Sequence, residues 1–131
     1  MLAGVSEARP GEPPISEADT AGLPAPIAAD LLEASTCCMV GAYRAAGLLV
    51  RRAVEQVAVL RRLPLEMRTL DQKLGWLLEA GHLSADVLPD ARTVRHLGNA
   101  AAHGANAVTM DEACAGVRSG LAVAVGVLLA G

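Results

Sequence analysis

Residues 41–62 read GAYRAAGLLVRRAVEQVAVLRR, and Tyr43, Ala46, Val50, Val54, Val57 and Leu60 recur in it every three or four positions. Arg44, Arg51, Glu55 and Arg62 lie largely off that stripe. A recurrence of this period is the mark of an amphipathic helix with one face turned to a core. The alternation of a half-buried strand appears nowhere in the chain, so the pattern predicts an all-α fold.

Working outward from this long second helix, the stretch LPAPIAADLLEAST predicts a shorter first one, with Ile27, Leu31, Leu32 and Ala34 inward. Proline costs nothing in a first helical turn, where its missing N–H has no partner to lose. Pro64 ends the second helix, and Thr69 followed by Gln72 forms a capping box that starts a third. That helix runs from about Leu70 to Ala80, with Leu74, Leu77 and Leu78 inward and Gly81 as its stop. A fourth begins between Asp86 and Asp90 and continues to Gly104. Thr109 and Glu112 repeat the capping box and launch a fifth to the C-terminus, where Gly116 and Gly120 leave room for close backbone approach. The expected layout is an up-down bundle of four to five helices over residues 23–131. Residues 1–22 are expected to form a disordered tail, since their prolines, acids and serines show no periodicity and bury too little to offset ordering entropy.

Composition bounds the function. A chain of 131 residues forms one domain, and at 53% apolar but only 2% aromatic its core must be built from Ala, Val and Leu. A net charge of −3 gives no broad electrostatic attraction for nucleic acid, so any contact with RNA must come from a local patch. Cys37, Cys38 and Cys114 have neither a disulfide framework nor a metal-ligand spacing. Together with an N-terminus unlike a secretion signal, they point to a cytoplasmic protein. The apolar run from Leu121 to Gly131 is too short for a membrane span, for which about 18 residues are needed. No metal or cofactor is expected. His96 and His103 stand roughly 10 Å apart along a helix, too far to share one ion.

The residues that could carry chemistry lie in RHLGNAAAH, residues 95–103. Arg95, Asn99 and His103 follow one another at four-residue steps, so they form a stripe that drifts by about 40° per step. Such a stripe is either an exposed catalytic face or a polar seam inside the bundle, with Arg95 and Asn99 paired to Glu55 or Glu79. His103 could also sit on the last carbonyls of its helix. His82 and His96 read as surface or boundary residues. Arg51, Arg52, Arg61 and Arg62 form the one basic cluster able to meet a phosphate backbone.

LLVRRAVEQ, then GWLLEAGHLS, then VRHLGNAAAH, in this order, resembles the HEPN superfamily of helical bundles. Over roughly residues 24–130 the chain is most like a bacterial family of unknown function with an R-x-x-G-N-x-x-x-H signature, often encoded near restriction-type nucleases. Arg51 and Glu55 fall where that family has an arginine and a glutamate on its second helix, and are candidate binding residues. Arg95, Gly98, Asn99 and His103 fall on its fourth-helix signature. The resemblance implies a homodimer with the two fourth-helix motifs facing each other. It further implies a metal-independent endoribonuclease or RNA-binding module of a defence or toxin–antitoxin system, with a nuclease or nucleotidyltransferase as a further partner. Arg95, Asn99 and His103 would be the catalytic residues. The alternative is a non-enzymatic dimeric scaffold whose polar motif is structural. Superfamily ribonucleases keep arginine and histidine closer together than Arg95 and His103 stand. Gly98 occupies the place of their arginine, and the axial span grows from about 7.5 Å to about 12 Å.

Overall fold

The computed structural model describes residues 11–104 and 107–129. It contains five packed helices: α1 (Ala25–Met39), α2 (Tyr43–Leu60), α3 (Leu70–Glu79), α4 (Leu88–His103) and α5 (Met110–Leu128). Among the described residues there is no strand. Short 3₁₀ turns at Glu17–Thr20 and Ala85–Val87 lead into α1 and α4.

The sequence sets the helix ends. The Thr69 hydroxyl accepts from the Gln72 N–H, and the Gln72 side chain accepts from the Thr69 N–H, both at 3.1 Å. Thr109 and Glu112 repeat the arrangement at 3.1 and 2.9 Å. At the end of α3, Gly81 takes a φ of 81°, and the N–H groups of Gly81 and His82 close back on the carbonyls of Leu78 and Leu77. The same closure ends α2, but there the left-handed position is held by Arg62, with a φ of 62°.

Contacts fix the direction of each helix. Asp30 on α1 accepts a fork of bonds from Arg52 on α2, at 2.8 and 2.5 Å. A Cβ at Gly47 would meet Leu97 and Ala101, and one at Gly98 would meet Arg51, so α2 and α4 run antiparallel. The Ser119 hydroxyl donates to Asp90 at 2.8 Å, and Leu97 lies over Gly116, so α4 and α5 are antiparallel too. The result is an up-down bundle of α1, α2, α4 and α5, with the short α3 set in the α2–α4 connection against both.

α2 packs against all four other helices, and α5 against α1, α2 and α4. Ala113, Cys114, Gly116, Val117, Ser119, Gly120, Val123, Ala124 and Val127 are all buried within one chain. The apolar run of α5 contributes Val123, Ala124 and Val127 to the core, while Leu121, Ala122, Val125 and Leu128 are only partly buried and Leu129 is exposed. Among the described residues, no helix is long and apolar enough to cross a membrane.

Three expectations shift. Leu60 and Leu78 lie exposed, because both stand at the last turns of their helices, where the inward stripe has drifted off the core. The tail expected through residue 22 falls partly on residues 1–10, outside the described residues. Packing nevertheless reaches back to Ile15, which is buried against Ser35, whose hydroxyl accepts from the Ile15 N–H and donates to its carbonyl.

Candidate functional site

α4 buries Ala91, Val94, Leu97, Gly98 and Ala101 and exposes Arg95, His96, Asn99 and His103. The polar stripe is thus not a seam inside the chain. Arg95, His96, Asn99, Ala100, His103 and Gly104, with Asp71 of α3, line one open depression of about 610 Å³. Among the described residues, the side chains of Asn99 and His103 have no protein partner, so their polar atoms face solvent and are free to meet a ligand.

Of the carboxylates expected beside this stripe, Glu79 lies exposed at the end of α3 and Glu55 is engaged elsewhere. Glu55 accepts from Lys73 at 2.6 Å and lies 3.8 Å from Arg51, linking α2 to α3. Arg95 faces Asp71 at 3.9 Å, with both side chains more than half exposed. A pair so exposed contributes little to stability, so Arg95 is available to a phosphate. Arg44 on α2 donates to the Ala101 carbonyl at 2.7 Å, supplying a partner that the end of α4 otherwise lacks.

Gly98 explains why the arginine stands so early in the motif. A Cβ there would lie 2.7 Å from Leu70 Cδ2 and 3.6 Å from Arg51 Cβ. α2 and α3 close over that point, so no side chain fits. Arg95, one turn earlier on the exposed face, carries the cation instead. Arg51 and Glu55 do not line the depression; the Arg51 stem packs across Gly98, and Glu55 pairs with Lys73 and Arg51.

The sequence reading placed His96 on the surface but gave it no partner. Its Nε2 lies 3.4 Å from Glu112 Oε2 across the α4–α5 groove. The other oxygen of Glu112, Oε1, accepts from the Thr109 N–H at 2.9 Å. That backbone bond first, then the Thr109 hydroxyl and His96, hold the Glu112 carboxyl below its ordinary value. It stays ionised at neutral pH.

Thiol chemistry is absent from this face. Burial first, and then the neighbouring Cys114, push the Cys38 thiol up to about 12. Cys37 is raised in the same direction, by burial and by Glu33. Thiols so shifted remain protonated and are poor nucleophiles. Among the described residues, no group of three His, Cys, Asp or Glu side chains could hold a metal ion.

No curated protein and no solved structure matches the chain. The family model for a domain of unknown function, DUF4145, matches residues 32–123, from the first half of α1 into α5. The chain belongs to the DUF4145 family.

Proposed function

We propose that this DUF4145 domain is a HEPN-type, metal-independent endoribonuclease of a bacterial defence or toxin–antitoxin system, acting as a cytoplasmic homodimer. The observation that carries this reading is the common exposure of Arg95, Asn99 and His103 along one open depression, with Asn99 and His103 free of protein partners. RNA brings its own nucleophile, the 2′-hydroxyl, so the protein need supply only proton transfer and a cation for the phosphate. His103 takes the proton from the 2′-hydroxyl. Arg95 holds the phosphate and Asn99 orients it. Arg44, exposed near the end of α4, adds to a local positive patch in a chain that is acidic overall. Arg51 and Glu55 then bind indirectly, by fixing the packing of α2 and α3 behind the groove.

The test is cleavage of varied RNAs by wild type and by His103→Ala, with and without a chelator. Metal-independent cleavage, with products ending in 2′,3′-cyclic phosphate, is expected from wild type. His103→Ala should lose about 10²- to 10⁴-fold in rate. Light scattering at micromolar concentration should report twice the chain mass. Absence of cleavage across RNAs would overturn the enzyme reading.

One observation favours a second reading, a non-enzymatic interaction domain. Pro24, Pro26, Ile27, Val59 and Leu60 line an apolar hollow of about 260 Å³ away from α4. A hollow of this kind suits a protein partner, such as a nuclease or nucleotidyltransferase, better than RNA.

A further inference from the structure

We propose that His96 is a second proton-transfer residue of the α4 groove, delivering a proton to the leaving 5′-oxygen while Glu112 holds its ring in place. The inference rests on the RNA-cleaving reading above, and it names a group that the R-x-x-G-N-x-x-x-H signature does not contain.

His96 and His103 are seven positions apart, which is about 700° of helical turn, so the two point within about 20° of one another. They stand about 10 Å apart along the axis. Both line the same depression, and between them its floor is Ala100, the smallest side chain on that face. Asn99 and Arg95 flank one side of this gap. Two imidazoles at the ends of a small-floored trough, with a guanidinium beside it, leave room for one phosphodiester between two proton-transfer groups.

The ring of His96 also has a neighbour placed to orient it. Glu112 is anchored through Oε1 to the Thr109 backbone and turns Oε2 toward His96 Nε2 at 3.4 Å. A carboxylate fixed at its far side can orient an imidazole without moving itself. The charged groups around His96 are Arg92, Asp111 and Glu112 on the α4–α5 side and Arg95 and Asp71 on the α3 side.

His103 removes the 2′-hydroxyl proton as the 2′-oxygen bonds to phosphorus. The bond from phosphorus to the 5′-oxygen breaks, and His96 gives that oxygen its proton. The products are a 2′,3′-cyclic phosphate and a 5′-hydroxyl. No net proton is gained or lost.

The test uses two substrates, an RNA and a uridine 3′-phosphate ester of p-nitrophenol, whose leaving group departs without a proton. His96→Ala should lose about 10²-fold or more on RNA yet stay within a few-fold of wild type on the activated ester. Glu112→Gln keeps an acceptor for the Thr109 N–H, and should show a smaller loss on RNA and none on the ester. His103→Ala should lose on both. Melting curves check that each variant folds, and His96, whose side chain is 73% exposed, can be removed without opening the core. An equal loss by His96→Ala on the two substrates, or wild-type cleavage of RNA by that variant, overturns the inference while leaving the ribonuclease reading intact. If wild type cleaves neither substrate, the ribonuclease reading itself has failed and the role of His96 fails with it.

Discussion

One face of α4 carries Ala91, Val94, Leu97, Gly98 and Ala101, all buried; the other carries Arg95, His96, Asn99 and His103, all exposed. The same sixteen-residue helix therefore answers to two physical demands. Inward, α3 and α5 approach until there is no space for a methyl group at Gly98, against Leu70, or at Gly116 of α5, against Leu97. Outward, Asn99 and His103 are left without partners among the described residues, which stability does not require and ligand binding does. Changes on the inner face should read out in folding, and changes on the outer face in chemistry.

The largest effect expected on folding is from Leu97→Ala. Leu97 is 1% exposed and lies against Gly47 and Gly116. Removing it leaves a cavity where three helices meet, which should cost about 2–5 kcal/mol by denaturant unfolding. By contrast His103→Ala should leave the unfolding midpoint nearly unchanged. A comparable loss from both would collapse the distinction between the faces.

Gly116→Ala should cost about 1–3 kcal/mol, although alanine is the better helix former. Its Cβ would fall 2.0 Å from Leu97 Cδ2 and 3.2 Å from Leu97 Cβ, and Leu97 is buried, so making room disturbs the core around it. In the Leu97→Ala background that obstruction is gone. There Gly116→Ala should become neutral or stabilising, a coupling that unfolding of the double variant measures directly. Additive losses would mean that α4 and α5 do not meet through this pair.

A smaller change tests whether stability can move without touching either face. Arg62 holds a left-handed φ of 62° at the end of α2. A residue with a Cβ pays about 1–2 kcal/mol there, and glycine gives back about 0.5–1 kcal/mol in the unfolded chain. Arg62→Gly should therefore stabilise by about 0.5 kcal/mol. A loss of stability would show that the Arg62 side chain contributes more than its backbone costs.

The inner face was legible in the sequence, and the outer one only in part. Periodicity located Val50, Val54 and Val57, and both capping boxes were visible because their partners are three residues apart. Periodicity put Arg95, Asn99 and His103 on one line, but cannot say whether another element covers it. Pairings between helices were out of reach. Glu55 meets Lys73 and Arg95 faces Asp71 only because α3 is set between α2 and α4. Ile15 was missed because a single apolar residue in a polar stretch has no period. Glu112 was recognised as a cap, but its second oxygen, turned toward His96, depends on the antiparallel pairing of α4 and α5.

That residue joins the two faces, and supplies the smallest expected effect. Glu112 caps α5 through Oε1 and meets His96 through Oε2, and its carboxyl lies below the ordinary 4.5, first because of the Thr109 N–H. A carboxyl lowered on folding contributes stability that is present above its unfolded value and is lost as pH falls through the folded one. The side chain is 38% exposed, so solvent screens most of that contribution. Glu112→Gln retains the cap acceptor but cannot titrate. Wild type should therefore melt slightly above this variant at about pH 6, and the gap should close as the pH falls below 4.5 toward about pH 3. A gap that is the same at both ends would mean that the charge on Glu112 adds nothing to the cap. Its part would then be confined to orienting His96, which the leaving-group comparison on RNA and the nitrophenyl ester reads without reference to stability.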